Sequence, residues 1–314
     1  MKQKQQPELS IVIINWNVRE LLKSCLQSIY HSLDTQQALA IETIVVDNAS
    51  TDGSVKMVRQ DFPQVKLIAN SDNPGFTGGN NQGINASRGR NILLLNPDTK
   101  ILGDALTRMA LYMDAHPDIG ALGPMLLNSD GSIQSSRRRF PTPATAFWES
   151  TVLQNWFPRH RLLADYYLLD KPDDAILKVD WVTGACIMIR REALEQVGLL
   201  DDGYFMYSEE LDWCRRAKTA GWQVVYYPEA KVIHYGGQSS EQVKAFQITC
   251  FNQSKIRYFD KHHGPLLAVT LRIFLILNYS YLLLLETAKW IIGHKRPLRR
   301  RRIKAYRQVL KSRL

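Results

Sequence analysis

Three short acidic clusters and one histidine are the residues of this 314-residue chain whose types and spacing could do chemistry. Val45-Val46-Asp47-Asn48 sets a carboxylate and an amide at the end of an apolar run, where the carboxylate could accept the ring N–H of a pyrimidine base. The same carboxylate could instead cap a helix begun by Ser50, Thr51 and Asp52. Leu94-Leu95-Asn96-Pro97-Asp98-Thr99 supplies one carboxylate among oxygen-bearing neighbours with no soft ligand, which suits Mg²⁺ or Mn²⁺ bridging a diphosphate. Capping explains Asp98 less well, because the next helix begins only at Gly103 and Asp104. Ser208-Glu209-Glu210-Leu211-Asp212 opens a helix with three carboxylates, which could serve the helix dipole. Glu210 and Asp212, two residues apart, cannot share one helical face, so at least one points elsewhere. His234 closes an apolar run before Gly236 and Gly237; a lone histidine is more often structural than a ligand, so its meaning depends on its company.

Each cluster closes a run that reads as a strand or opens one that reads as a helix. Residues 9–14, 41–46, 65–69 and 91–95 are short, apolar and rich in β-branched side chains, the pattern of parallel strands buried on both faces. Helical spacing follows at 19–32, from the caps at 50–52 to the stop at Pro63, and at 103–116, before a further strand at 119–125. Glycine and asparagine between 70 and 81 predict a loop leading into a short helix that ends at Arg88. Repeated alternation of strand and helix predicts a doubly wound, mostly parallel α/β sheet. Ligands bind such sheets beyond the carboxyl ends of the strands, where Asp47 and Asp98 both stand. Residues 135–139 (SSRRR) with Pro141 and Pro143 predict a mobile connection. Order returns with a strand-like run at 179–189, helices at 191–197 and 208–220, and short strands at 224–227 and 231–233.

Composition excludes several classes. Hydrophobic residues at 45% and charged residues at 22% exclude bulk disorder. The net charge of +10 is carried by the ten cations of residues 295–313, beyond the last acid, Glu286; the remaining 30 cations match the 30 carboxylates, so the body is neutral. One arginine run without a recognisable domain does not indicate nucleic-acid binding. Cys25, Cys186, Cys214 and Cys250 are scattered without metal-ligand spacing and read as small buried hydrophobes in a reducing compartment. The apolar run at 9–14 is too short for a secretory signal, so a cytosolic body is expected.

Taken together, SIVIINWN, VVDNASTDGS, NSDNPGFTGGNNQG, LLNPDT, VTGACIMIRREA, FMYSEELDWCRR and VIHYGG, in this order over residues 9–262, resemble glycosyltransferase family 2 and its bacterial rhamnosyltransferase-like branch. The resemblance implies a GT-A fold over residues 1–262 and an inverting, nucleotide-sugar-dependent transfer. By the same resemblance Asn15, Asn17, Asp47 and Asn48 would line a nucleobase pocket, and Asn73, Gly75, Phe76 and Asn80 would contact the nucleoside and its diphosphate, with Gly78 and Gly79 admitting the backbone. Asp98 would hold Mg²⁺ or Mn²⁺, with Asn96 standing where the family's DxD motif has its first aspartate, and His234 would be a further metal or diphosphate ligand. Trp181 and Gly184 would border the acceptor. Glu210 stands at the catalytic base, usually aspartate in this family, and Asp212 would orient the acceptor or partner side chains. The glycines do not follow the GxGxxG spacing of dinucleotide-binding folds.

The resemblance further implies a nucleotide-sugar donor, dTDP-rhamnose before UDP-hexose, and a lipid-linked glycan acceptor. A catalytically silent membrane adaptor is the reading of another class, and the retention of Asp98, Glu210 and His234 opposes it. Residues 266–285 are apolar but contain Arg272 and Asn278, and the uncharged part from 273 to 285 is shorter than the roughly 20 residues of a span. Residues 263–314 are therefore expected to lie on an anionic bilayer, at the cytoplasmic face of the inner (plasma) membrane, rather than to cross it.

Overall fold

The structure, a computed structural model, describes residues 6–33, 39–151, 153–236 and 244–312; Gly237 of the glycine pair and Arg313 of the tail lie outside them. The chain divides into two compact units, one of residues 1–140, 167–202 and 209–239, the other of residues 141–166, 203–208 and 240–314.

The first unit is built on a ten-stranded sheet. Strands β1 (Leu9–Asn15), β2 (Ile41–Asp47), β3 (Lys66–Ala69) and β4 (Asn91–Leu95) pair in parallel, in the order β3-β2-β1-β4. Helices α1 (Arg19–Leu33), α2 (Ser54–Asp61) and α3 (Gly75–Ala86) connect them, and β5 (Thr99–Ile101), α4 (Ala105–Ala115) and β6 (Ile119–Leu127) follow. All seven residues of β1 are buried. Leu9, Ile11 and Ile13 join one core with Leu22, Cys25, Leu26 and Ile29 of α1, while Val12 and Ile14 lie against α3. Each such aliphatic side chain contributes about 1.5–3 kcal/mol on burial. All four cysteines are free and buried, and burial pushes the thiol of Cys25 up to about 12, which leaves it inert.

Several sequence expectations change. The glycine-asparagine run is a loop only as far as Pro74: Gly75–Ala86 is a helix, because Gly79 and Gly83 face the sheet, where a side chain would not fit. A Cβ on Gly83 would stand 2.3 Å from Val12 Cγ1, so tertiary packing overrides weak helix propensity. Helix α2 starts at Ser54, after Gly53 at φ 86°: Ser50 Oγ accepts from Asn15 and Asn17 in the turn after β1, while Asp52 Oδ1 accepts from Ser54 N at 3.0 Å at the helix start and Asp52 Oδ2 from Arg19 N. The sheet is mixed rather than simply doubly wound. The 179–189 run breaks into β9 (Leu177–Val179), β10 (Trp181–Val182) and β11 (Cys186–Arg190), and β11 inserts antiparallel between β4 and β6.

The SSRRR segment is ordered: β7 (Ile133–Gln134) pairs with β6, and β8 (Arg137–Arg138) pairs with β10. The two short strands expected after 223 are one, β12 (Gln223–His234), bulged between Tyr227 and Lys231. It pairs with β5 so that His234 faces Thr99.

The second unit contains α5 (Pro143–Glu149), α6 (Leu153–Trp156) and α7 (Arg161–Tyr166) from the middle of the chain; α8 (Arg191–Val197) and α9 (Glu209–Thr219) belong to the first. Helices α10 (Lys244–His263), α11 (Pro265–Ile291) and α12 (Arg296–Lys311) complete the second unit. Gly264 at φ 91° and Pro265 separate α10 from α11. The apolar segment is longer than its uncharged part suggested: α11 runs 27 residues, about 40 Å, straight through Arg272 and Asn278. Asn278 is tolerated because its Nδ2 donates to the Ser150 carbonyl at 2.8 Å, and Arg272 is exposed. Among the described residues α11 is the one helix long and apolar enough to cross a membrane. Helix α12 folds back along its second half, held by Arg299 Nη1 to both Glu286 oxygens (2.9 and 2.8 Å), by Arg302 to Glu286 (3.3 Å) and by Tyr306 against Tyr279 (5.8 Å between rings).

Gly83→Ala should lower stability by about 1–2 kcal/mol, because overpacking costs about 1–3 kcal/mol and improved helix propensity returns at most about 1 kcal/mol. Urea unfolding measures this, and an unchanged midpoint would mean that β1 and α3 separate freely.

Candidate active site

The carboxyl ends of β1, β2 and β4 stop close together, and Asn15, Asp47 and Asn48 stand there. Asn15 and Asp47 are paired in register, and Asn15 Nδ2 donates to Asp47 Oδ2 at 2.7 Å and to Ser50 Oγ at 3.0 Å. Ser50 N donates to Asp47 Oδ1 at 2.8 Å. Asp47 is 1% exposed, so its carboxylate orders the loop, and each oxygen keeps lone-pair capacity for one further donor. Asn17 (φ 53°) and Ala49 (φ 60°) hold the loop in left-handed backbone, Asn17 Oδ1 accepting from Thr51 N at 2.8 Å. Asn48 bridges to α3, its Nδ2 donating to Gly75 O at 2.9 Å. Asn73 Oδ1 caps Gly75 N at 2.9 Å, and Asn80 Nδ2 donates to Phe76 O at 2.9 Å. A Cβ on Gly79 would come within 3.1–3.3 Å of Ile14 and the Asn48 amide, so glycine there keeps α3 close.

Asp98 follows β4, is 4% exposed, and its Oδ1 lies 3.4 Å from His234 Nε2, brought near by the β5–β12 pairing. His234 Nδ1 donates to Gln134 Oε1 at 2.7 Å, since an amide oxygen only accepts. That bond sets the tautomer and leaves the Nε2 lone pair directed toward Asp98 and Asn96 Nδ2 (3.4 Å). Gln134 is itself fixed by Nε2 donating to Asn128 Oδ1 at 2.9 Å. These donors fit a hard divalent cation. Asp98 Oδ1 and His234 Nε2 converge at 3.4 Å, and Asn96 Oδ1, near Asp98 in sequence, is a buried amide oxygen with no partner. No group of three or more His, Cys, Asp and Glu exists for a metal among the described residues, so diphosphate and water would supply the other ligands, as is usual for Mg²⁺.

Helix α9 presents the acidic cluster. Tyr207 (φ 73°) and Ser208 (φ 65°) precede it, two successive non-glycine residues in left-handed backbone, a strain that persists only where surroundings impose it. Gly184 N donates to Glu210 Oε1 at 3.1 Å, while Glu210 Oε2 is buried without a partner. Burial raises the Glu210 pKa, and the Gly184 bond only partly offsets it. Glu209, 3% exposed, is pushed well above the usual carboxylate range by burial and then by the charge of Glu210. Asp212 is fully buried and takes Arg216 Nε at 2.9 Å, while Arg216 clamps the Val197 and Leu199 carbonyls at 2.8 Å. Trp181, 8% exposed, donates Nε1 to Arg139 O at 2.9 Å, and the Arg138 guanidinium lies over its ring at 5.2 Å.

Sequence reading missed Gln134 and Arg138. Gln134 lies 100 residues from His234 and carries no local signal; Arg138 was hidden in a run that read as linker. Asn81 was also missed: its amide bolts α3 to the Leu200 backbone through both N–H and C=O.

Comparison with known proteins gives three findings. The family model described as Glycosyl transferase family 2 matches residues 10–198. The N-acetylglucosaminyl-diphospho-decaprenol L-rhamnosyltransferase of Mycobacterium tuberculosis is 29% identical over 269 residues, 82% of this chain and 85% of the relative, and the dTDP-rhamnosyl transferase RfbF of Shigella flexneri is 23% identical over 241 residues, 71% and 72%. Among solved structures, the mannosyltransferase PcManGT from Pyrobaculum calidifontis, in complex with GDP-Man and Mn²⁺, aligns with a TM-score of 0.57 at 14% identity, over 98% of this chain and 86% of that one; the shared fold is GT-A-like.

Gln134→Leu should weaken Mn²⁺ binding about 10–100-fold, the usual effect of losing the partner that orients a histidine ligand. Calorimetric titration with a nucleoside diphosphate present reads this, and wild-type affinity would separate Gln134 from the metal.

Proposed function

Because this chain belongs to glycosyl transferase family 2, whose members use nucleotide sugars, we propose that it transfers rhamnose from dTDP-rhamnose, with inversion, to a lipid-linked glycan in bacterial cell-surface polysaccharide synthesis. The observation that carries the reading is Glu210, a carboxylate with one oxygen tied to Gly184 N and the other without a partner, in the unit that also gathers Asn15, Asp47, Asn48 and Asp98 at the strand ends. The names of the Mycobacterium and Shigella relatives support a rhamnosyl donor, and the former supports an N-acetylglucosaminyl-diphospho-lipid acceptor.

In this mechanism Asn15, Asn17, Asp47 and Asn48 hold the base, and Asn73, Gly75, Phe76, Gly79 and Asn80 hold the nucleoside and its diphosphate. Glu210 removes the proton of the acceptor hydroxyl as that oxygen bonds to the anomeric carbon. The bond from that carbon to the diphosphate breaks, and nucleoside diphosphate leaves with the electron pair. A divalent cation held by Asp98 and His234 would neutralise the charge on the leaving diphosphate. Trp181 and Gly184 flank the acceptor, and Asp212 acts through Arg216. Residues 1–262 form the catalytic domain in this reading.

Residues 263–314 then attach the enzyme to an anionic bilayer. Leu266, Val269, Ile273, Leu277, Tyr281, Leu284 and Ile291 form an exposed apolar stripe along α11. Arg300, Arg301, Lys304, Arg307 and Lys311 of α12 are exposed alongside its second half. Were α11 to cross a bilayer with α12 folded on it, these cations would enter hydrocarbon at about 2.5–3.5 kcal/mol each near the centre. Lying in the interface avoids that cost, with the cations on anionic lipid. The cytosolic supply of nucleotide sugars and the positive-inside tendency support the cytoplasmic face of the inner membrane.

With dTDP-rhamnose and an N-acetylglucosaminyl-diphospho-lipid, Glu210→Gln should keep donor binding and lose about 10²–10⁴ in kcat. The wild-type rate should fall on the acid side above the ordinary glutamate value of about 4.3, because a base with a raised pKa is charged only above it. Wild-type transfer by the variant, or turnover only of UDP-hexoses, would refute the base or the donor respectively. Joint Leu277→Asp and Leu284→Asp substitution on the exposed stripe should weaken binding to vesicles containing anionic lipid at least tenfold, an effect of order one buried leucine; unchanged flotation would place attachment elsewhere.

A further inference from the structure

We propose that Arg138 is the binding group for the acceptor's diphosphate, which rests on the diphospho-lipid acceptor class proposed above. The neighbouring arginine shows what a structural role looks like in this strand. Arg137 is buried, its Nη1 pairs with Asp173 at 2.8 Å, its Nη2 donates to Lys171 O at 3.0 Å, and its guanidinium covers the Tyr226 ring at 4.7 Å. Arg138 differs in what it lacks. It is half-buried, and among the described residues no carboxylate stands within ion-pair distance of it. Its one hydrogen bond is Nη1 to Ser135 O at 3.1 Å.

The guanidinium is nevertheless fixed. It lies over the Tyr167 ring at 4.9 Å and the Trp181 ring at 5.2 Å, and the Arg138 backbone is in register with Trp181 in the β8–β10 pair. Aromatic stacking orients a planar cation and leaves its N–H edge for a ligand. The matching ligand is an oxyanion with two oxygens, since a guanidinium engages phosphate in a bidentate fork.

The position relative to Glu210 selects which phosphate. Gly184, whose N–H holds Glu210 Oε1, follows Thr183, whose N–H donates to Ser136 O at 2.9 Å, so the same ladder that pairs Arg138 with Trp181 runs up to the base, while Glu210 Oε2 has no partner. An acceptor that presents a ring hydroxyl to Glu210 carries its diphosphate on the anomeric carbon of that same ring. A cation near the base but not bonded to it is where such a diphosphate would reach. Trp181 and Gly184, on the same β10-to-β11 segment, supply the sides between them.

The test uses the full chain and compares two acceptors, an N-acetylglucosaminyl-diphospho-alkyl compound and the neutral N-acetylglucosaminyl-alkyl glycoside. Arg138→Met should reduce kcat/KM for the diphospho acceptor about 10–100-fold more than for the neutral one, chiefly through KM, as expected for one charge-assisted bidentate contact. Arg138→Lys should fall between them. Equal loss on both acceptors with a displaced acid limb of the pH profile would overturn the proposal and make Arg138 an electrostatic support of Glu210; no loss on either would overturn it too. If the wild type turned over neither acceptor, the acceptor class would fail first. Calorimetry of inorganic pyrophosphate in saturating dTDP would then decide Arg138 alone, with binding by the wild type and not by Arg138→Met upholding the anion site and equal binding rejecting it.

Discussion

The hydrogen bond from Asn15 Nδ2 to the Asp47 carboxylate is 2.7 Å long, buried, and joins the ends of two neighbouring parallel strands. The site is built outward from it. Asp47 turns the chain through Ser50, Ser50 holds Asn17, and Asn48, next in sequence, reaches Gly75 at the start of α3. A carboxylate this deep is stable only because its hydrogen bonds replace water. Removing any member of the set would leave a buried polar atom unpaired, which costs more than the bond itself contributes.

Close packing is the second constraint. Helix α3 can bring Phe76 and Asn80 to the strand ends only because Gly79 and Gly83 let it lie directly on Ile14 and Val12. The same two glycines made the segment read as a loop. The strand ends, the acidic clusters and the family were legible because strand hydrophobicity and motif spacing are local signals. What escaped was non-local. Helix propensity could not reveal a helix held by packing, the antiparallel β11 is defined by neighbours far away in sequence, and the order in 135–139 comes from β10 and from rings at 167 and 181. Asn278 weakened α11 on paper, but its amide has a carbonyl to bond.

Strain is concentrated at the candidate site. Four of the six described non-glycine residues with positive φ, Asn17, Ala49, Tyr207 and Ser208, lie beside the strand-end loop or directly before Glu209 and Glu210. Such backbone costs of order 1–3 kcal/mol per residue. Its concentration where Asn15, Asp47 and Glu210 are aimed is what a site selected for geometry rather than stability would show.

On the interfacial reading proposed above, the Glu286–Arg299 ion pair has a consequence for how the enzyme would travel. It is 5% and 9% exposed at its side chains, and it closes the α11–α12 hairpin from within the chain rather than by contact with lipid. An attachment element that is already folded in water needs no insertion machinery and orders little on arrival. On the interfacial reading, docking is therefore reversible, and the enzyme can sample both the cytosol that supplies its donor and the bilayer that holds its acceptor.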